Sequence, residues 1–438
     1  MNNSQNTQVV IIGAGFTGLS MAYELSKRGV SVILLESEAE IGGLAAAFDV
    51  NGEKLDRFYH HWFTNDIEIM SLIEELGLSS RVEINPTNTG IYYANNFFKL
   101  STPWDLLNFK PLGIFDRMRL GLLALRARRV KNWKSLESKT AHDWLRELGG
   151  EGVYKVVWEP LLKGKFGPYA KDVSAVWFWN KLKLRGGSRG KGGEERLAYF
   201  KGGFVSLAEA LAKEIEKMGG KIICSAPVSN ILFNAGQWRT EFNGQEIVSK
   251  RVIATTPLPI TRKFIESWAS NEYLESLDQI KYIGNVCLVL ELCKPLSKTY
   301  WLNVNDPGFP FVGVIEHTNF ESVETYGGHH IVYLSKYLPT SDRLYSMSKD
   351  EFLEYTIPYL QKMFPEFSTD WILDSHLWHA QYSQPIVVKH YGALIPKESG
   401  PVEGFHICTM AQIYPEDRGT NYAVREGRRM GREIAELF

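Results

Sequence analysis

The chain has 438 residues, 44% of them apolar and 23% charged, the composition of an ordinary globular protein with room for two or three domains. Its formal net charge of −1 gives no overall field for nucleic acid, and no run approaches the ~20 uncharged apolar residues that span a bilayer. Four scattered cysteines, Cys224, Cys287, Cys293 and Cys408, have neither paired nor metal-ligand spacing and read as reduced thiols of a cytoplasmic protein.

The polar opening "MNNSQNTQ" does not read as a secretory leader, and "QVVIIGAG" is already a strand of the kind buried on both faces. It runs into Gly13-Ala14-Gly15-Phe16-Thr17-Gly18 and then "LSMAYELSKRG", whose apolar residues recur at helical spacing as far as Gly29. "VSVILLE" is a second strand ending at Glu36, with Ser37 behind it. In this order the pieces describe a βαβ dinucleotide cradle. Gly13 permits the tight turn, Gly15 the approach of backbone to a pyrophosphate, and Gly18 the close packing of helix on strand. The helix N-terminus faces the phosphates, and Glu36 accepts from the ribose hydroxyls. A 2′-phosphate would be repelled by Glu36, which disfavours NADP. Gly42-Gly43, followed by Leu44, leaves room for a second close approach of backbone to ligand, unless it is an ordinary turn after the strand.

Further on, "YHHWFTND" carries His60 and His61 just after Asp56, and either imidazole suits a base or a hydrogen-bonding group. "FDRMRLGLLALRARRVKNW" predicts an amphipathic basic helix. Its charges suit a solvated face or a patch on anionic lipid, so peripheral membrane contact stays open. "WEPLLKGKFG" and "AVWFWNKLKLRGGSRGKGG" predict helical structure running into a flexible basic loop, with Trp177 and Trp179 in core or pocket wall. "FKGGFVSLAEALAKEIEKMGGKIICSAPVSNI" reads as turn, helix and strand, with Val228 beyond, and "KRVIATTPLPI" as a buried strand leading to Thr255. "GNVCLVLEL" and "HHIVYLSKYL" are β-like, while His376, His379 and His390 lack metal-ligand spacing and read as structural. The closing stretch, "GFHICTMAQIYPEDRGTNYAVREGRRMGREIAEL", predicts a strand, a polar loop and a helix. Its Asp417 and Arg418 form either a solvated surface pair or part of a site. In the second case Arg418 binds an anionic substrate group, and Glu416 or Asp417 takes a proton.

Taken together these segments resemble the FAD-dependent amine-oxidase-like superfamily, which includes protoporphyrinogen oxidases, phytoene-type desaturases and, more distantly, UDP-galactopyranose mutases. The resemblance covers about half the chain in three ordered blocks. It implies an α/β fold with an α+β insert: a Rossmann-like FAD-binding domain from residues 1–75, 198–260 and 395–438, and a mixed helical and β-sheet substrate domain from 76–197 and 261–394. It implies FAD as cofactor, held at Gly13, Ala14, Gly15, Phe16, Thr17, Gly18, Glu36, Ser37, Gly42, Gly43 and Leu44. Val228 meets the adenine through its backbone, and Thr255, Met410, Asn421, Tyr422 and Ala423 complete the cofactor set. Two departures stand out: Leu44 replaces a common arginine, and Thr409-Met410 stands where relatives end the last strand in Gly-Asp. The tail contact then falls to Gln412 or to the Asn421-Tyr422 backbone.

The expected reaction is hydride transfer from a C–H or C–N bond of a small-molecule substrate to flavin N5, with His60, His61 and Arg418 as catalytic candidates. The alternative is a redox-neutral mutase acting on a nucleotide sugar or glycan precursor. "YHHWFTND" and "NVNDPGFPFVGVIEHTNF" are similar to mutase segments, but Gly313 and Phe63 stand where the mutases carry a diphosphate-binding arginine and a second histidine. A non-catalytic FAD-binding module is the third reading. No feature indicates the oligomeric state.

Overall fold

The structure is a computed structural model and describes residues 5–99, 103–187 and 195–438. Most of the basic loop expected after residue 187 lies outside the described residues.

The glycine-rich opening folds as its pattern requires. The strand Gln5–Ile12 feeds helix α1 (Phe16–Lys27), which returns to the strand Val32–Leu35. Both strands pair in parallel with each other and with neighbours: Val32–Leu35 with Lys221–Ile223, Gln5–Ile12 with Gln245–Ala254, and Gln245–Ala254 with Phe405–Ile407. Two antiparallel strands, Gln237–Phe242 and Val228–Asn234, extend the sheet beyond Gln245–Ala254. The absence of polar alternation in "VVII" now has its cause. Val9 and Ile11 face one apolar cluster and Val10 and Ile12 another, so both faces of the strand are buried.

The other helices in chain order are α2 (Ile67–Glu75), α3 (Pro103–Leu107), α4 (Ile114–Arg129), α5 (Ala141–Val153), α6 (Glu159–Phe166) and α7 (Ala175–Gly187). They continue with α8 (Gly203–Lys217), α9 (Leu258–Ile265), α10 (Asn271–Asp278), α11 (Lys349–Met363) and α12 (Thr420–Ala435). The C-terminal α12 lies against α1 at very close range. A Cβ on Gly427 would stand 2.4 Å from the Thr17 carbonyl oxygen, and one on Gly431 would stand 2.9 Å from that of Met21. Glu24 of α1, only 1% exposed, is matched there by Arg428 at 2.6 Å and Arg432 at 3.5 Å.

A second sheet runs in the order Ile372–Pro385, Tyr282–Leu292, His330–Leu338, Gly313–Glu316, Trp301–Val304, Thr89–Tyr93, Asn96–Phe98. The strand Tyr282–Leu292, second in that order, is apolar on both sides. Val286, Leu288 and Leu290 share a cluster with Phe352 and Leu360 of α11, whereas Cys287 and Val289 join the cluster that holds α1. The sheet therefore separates α11 from the nucleotide-type unit. Both inserted segments contribute to it, since Thr89–Tyr93 pairs in parallel with Trp301–Val304. The strand Glu195–Phe200 straddles residue 198 and pairs with Trp62–Phe63 and Val82–Thr87.

Candidate active site and nucleotide cradle

The parallel register aligns the carboxyl ends of four strands. Ile12 stands opposite Leu35 and Ala254, and Ala254 opposite Ile407, so the turns that follow all emerge along one edge. That edge is where open α/β sheets bind ligands. It gathers Gly13, Glu36 and Thr255, with Met410 just beyond the last strand.

Gly13 has φ of +106°, which only glycine adopts readily, and a Cβ on Gly18 would sit 2.0 Å from its carbonyl oxygen. Thr255 closes the same corner, its Oγ1 donating to the carbonyls of Ile12 and Gly13 at 2.9 and 3.1 Å. Gly15 differs. A Cβ there would meet nothing within 4 Å, so the space above it is open. Gly42 donates its N–H to the Ala14 carbonyl at 2.9 Å and forms a parallel bridge with Gly15. A Cβ on Gly43 would come within 3.4 Å of the Gly15 Cα. The second glycine pair thus lines the same gap as the first. Leu44 follows in a short 3-10 turn, half-buried. Phe16 is buried in the first turn of α1, whose N-terminus has no side-chain cap, leaving its N–H groups for an anion.

Glu36 is 8% exposed, and its carboxylate accepts from the Ala14 N–H at 2.7 Å, from Ser37 Oγ at 3.1 Å and from the Glu38 N–H at 3.0 Å. The acid therefore fixes the glycine loop as well as facing the gap. Its carbonyl accepts from the Ala226 N–H at 2.7 Å, which brings Val228, two residues on, to the same edge. An open gap above glycine backbone, an uncapped helix start and a buried acid fit the adenosine diphosphate portion of FAD.

On the C-terminal side, Gln412 does not reach toward the cradle. Its Oε1 accepts from the Thr409 N–H at 2.8 Å and its Nε2 donates to the Pro396 carbonyl at 3.1 Å, so the tail contact expected of this side chain is corrected. Asn421 is also engaged, accepting from the Ile69 N–H at 3.0 Å and tying α2 to the start of α12. The first turn of α12, with Tyr422 and Ala423, has no side-chain cap. The Ala423 N–H donates to the Gly419 carbonyl at 2.9 Å, which leaves the N–H groups before it in the turn as the donors.

The catalytic candidates separate. His60 stacks on Phe204 at 5.2 Å, and burial, aided by the charge of Arg418, lowers its pKa to about 3. At neutral pH it is an uncharged imidazole suited to hydrogen bonding and too weak a base to carry protons. His61 turns away to Tyr300, whose hydroxyl lies 3.0 Å from Nδ1, and to the edges of Phe63 and Trp301. Arg418 donates to the Tyr337 hydroxyl at 3.2 Å, while its buried Nε has no partner among the described residues.

Asp417 overturns the expectation of a solvated surface pair. It is 4% exposed, and its Oδ1 accepts from Trp177 Nε1 at 2.9 Å and Gln384 Nε2 at 3.2 Å. Its Oδ2 meets Lys181 Nζ at 2.5 Å and Lys165 Nζ at 3.7 Å. Burial acts to raise its pKa, but Lys181, Lys165 and Arg418 outweigh burial and hold the carboxyl well below the usual range. Asp417 is an anchor, and the role of proton acceptor does not fit it. Glu416 is paired with Arg425 at 3.2 Å. Asp66, which accepts from the Phe63 N–H at 2.8 Å, is raised to about 6 by burial, with Lys181 opposing. Lys165, Lys181 and Arg418 thus gather around Asp417, with Asp66 near Lys181, beside the aromatic rings of Tyr59, Tyr337 and Trp177. Sequence reasoning missed Lys165, Lys181, Gln384 and Asp66, because no local pattern links four separate elements. Trp177 carried the only signal, as a tryptophan of α7 assigned to core or pocket wall. Trp179 is core, 3% exposed, with its Nε1 donating to the Ala127 carbonyl at 3.1 Å.

The histidines read as structural are partly so. His376 Nε2 and His329 Nδ1 flank the buried Glu291 at 2.9 and 2.7 Å. Glu291, Asp374 and His376 present ligand atoms within 4.8 Å of one another, a grouping created by pairing Glu291 with Asp374 across two strands. Among the described residues no helix is long and apolar enough to cross a membrane.

Comparison with solved structures shows a shared architecture. A proposed protoporphyrinogen oxidase from Exiguobacterium sp. 255-15 superposes with a TM-score of 0.79 at 16% identity over 100% of both chains. Cyclohexylamine oxidase from Brevibacterium oxydans IH-35A gives 0.69 at 16% identity, over 98% of this chain and 99% of that one. Among curated sequences, 15-cis-phytoene desaturase of Narcissus pseudonarcissus is 22% identical over 433 residues, covering 92% of this chain and 74% of its own. The fold and its cradle define a flavoprotein oxidoreductase. Residues 16–435 match the model of the flavin containing amine oxidoreductases, and the chain belongs to that family. Its cofactor is FAD.

Proposed function

We propose that the chain oxidises a C–H or C–N bond of a small molecule that carries an anionic group, and that Arg418 receives that group. The observation that carries this reading is Arg418: its Nε is buried without a partner among the described residues, beside Asp417, which is already engaged by Lys165 and Lys181. A carboxylate or phosphate would complete that set with charge-assisted hydrogen bonds. The bound FAD supplies the hydride acceptor, its N5. Its binding set in this reading is the glycine loop from Gly13 to Gly18, Glu36 and Ser37, Gly42 to Leu44, Val228, Thr255, Met410 and the Asn421–Ala423 turn. Residues 1–75, 198–260 and 395–438 then form the FAD domain, with 76–197 and 261–394 over the substrate.

The chain's own residues divide the work. Asp417, held ionised, clamps α7 through Trp177 and Lys181 to the loop that carries Arg418, which excludes water from the space between them. His60, neutral and buried, keeps a hydrogen-bonding position without drawing a proton from the substrate. Tyr59 and Tyr337 give that space aromatic walls. His61 acts at a distance, positioning Tyr300.

Kinetics on Arg418→Gln test the reading. KM for the anionic substrate should rise by about ten-fold or more, with flavin content unchanged and kcat less affected. A neutral ester or amide of the same substrate should lose this sensitivity. An unchanged KM, or equal losses for charged and neutral substrates, would contradict it.

A further inference from the structure

Helix α4 has one apolar stripe more than a packed surface helix uses. Leu120, Leu123 and Ala127 are buried against its neighbours. On the opposite side Phe115, Met118, Leu122 and Leu125 recur at intervals of three and four, so they share one face, and Phe115 is 76% exposed. The adjoining α3 adds Trp104, 74% exposed, and Leu107, with Leu106 seated beside Gly121 of α4. Seven of the fifteen large apolar side chains exposed on the described chain lie between residues 104 and 125. Scattered exposed apolar residues are normal, whereas one contiguous group marks a contact surface.

The charge beside this stripe selects the partner. Between residues 103 and 136 the sequence has eight lysines or arginines against two aspartates, in a chain whose net charge is −1. Lys110, Arg119, Arg126, Arg128, Arg129 and Lys131 are exposed. Of the aspartates, Asp116 is already paired with Arg119 at 3.2 Å. A protein partner could match either feature, but apolar side chains in one plane, rimmed by cations and carried on a helix lying along the surface, match the layered chemistry of an anionic bilayer. We infer that α3 and α4 dock the protein on the surface of an anionic membrane, with Trp104, Phe115, Met118, Leu122 and Leu125 in the acyl boundary and the arginines at the phosphates.

The docking face is coupled to the site through one helix. Trp179 of α7 donates to the Ala127 carbonyl of α4, and Trp177, two residues earlier, donates to Asp417. The surface that would meet lipid is therefore rigidly joined to the Asp417 cluster.

Co-sedimentation of the FAD-loaded protein with vesicles tests this. It should bind phosphatidylcholine–phosphatidylglycerol vesicles at low salt, bind phosphatidylcholine alone at least about ten-fold more weakly, and release as salt rises. The triple variant Phe115→Glu, Met118→Glu, Leu122→Glu should lose binding while keeping its flavin content and melting temperature. Arg126→Ser with Arg129→Ser should weaken binding to anionic vesicles by roughly 25-fold, at about five-fold per charge, and leave neutral vesicles unaffected. Absence of binding to anionic vesicles at low salt would overturn the inference. So would retention of binding in the triple variant, or a concentration-dependent dimer that forms without lipid and is lost in that variant, since the stripe would then be covered by a second copy.

Discussion

The nucleotide cradle and the Asp417 cluster are two regions of the molecule assembled by opposite means. In the cradle the functional atoms are backbone: the open gap at Gly15, the Gly42–Ala14 hydrogen bond and the uncapped start of α1. Its segments are short and consecutive, with Glu36 the one acid whose side chain matters. The cluster is made of side chains alone, from α6, α7, the strand Ile372–Pro385 and the loop before α12. Backbone geometry demands glycine at fixed spacing, so it leaves a mark in sequence. Side chains meeting across hundreds of residues leave none. In the proposed function the same contrast separates the residues that would hold the cofactor from those that would select the substrate.

The sharpest way to break the comparison lies within the cradle. Gly18→Ala places a Cβ 2.0 Å from the Gly13 carbonyl oxygen, where backbone must move, and should cost about 3 kcal/mol or more in folding stability, read by denaturant unfolding. Gly15→Val should do the reverse. Its φ of −75° suits any residue and its Cβ meets nothing, so the apoprotein should melt within about 1 °C of wild type. FAD loading should nevertheless be abolished, as read by the flavin absorbance of the purified protein. Equal damage to both properties in both variants would mean that the gap above Gly15 is not the ligand's.

Asp417→Asn probes the cluster. It leaves Lys165, Lys181 and Arg418 without their central counter-charge and should destabilise by about 2–3 kcal/mol, below the value for a wholly buried pair because both lysines are partly exposed. The folded pKa of Asp417 is depressed, so its contribution is present above the ordinary carboxylate pKa of ~4 and is lost as pH falls below it. The stability difference between wild type and variant should accordingly shrink under acid, in urea titrations at descending pH.

Glu36→Ala returns to the cradle with a smaller effect. Losing its contact to the Ala14 N–H, and the ribose contact proposed for it, should weaken FAD binding by about 1.5–3 kcal/mol, one to two decades, by titration of apoprotein. Asp56 adds a pH effect: burial raises its carboxyl to about 7 despite hydrogen bonds from Tyr199 and the Phe204 N–H. A raised acid pKa means that the folded state holds its proton where the unfolded chain has released it. Stability from this group therefore falls as pH rises from about 4 to about 7. Relative to Asp56→Asn, wild type should lose about 2–4 °C in melting temperature across that window. His60 and His317, both lowered to about 3 by burial, act in the opposite sense in both proteins and cancel in the difference.

What was legible follows from these physical differences. The strand "VVII", Gly13, Gly15, Gly18 and the acid at the end of the second strand could be read directly, because each position answers a local steric or electrostatic demand. The strand "GNVCLVLEL" was legible as β structure but not as the wall between α11 and the nucleotide-type unit, since apolar residues on both faces do not say what covers them. Asp417 looked like a surface residue because its neighbours Glu416 and Arg418 are polar. The loop's polarity reflects a buried charge network instead. Gln412 was plausible as a cofactor ligand until its side chain proved to close its own turn. The two apolar stripes of α4 were hidden by its arginines.

The central claim is that electrons leave the substrate for the flavin. Anaerobic mixing of the oxidised holoenzyme with an anionic amine or other oxidisable substrate, followed by absorbance, tests it most directly. The flavin band should bleach with substrate alone and return when an acceptor is admitted, and Arg418→Gln should require about ten-fold more substrate for the same rate of bleaching. An oxidised enzyme inert to all such substrates, whose dithionite-reduced form isomerises a nucleotide sugar without consuming an acceptor, would contradict the account.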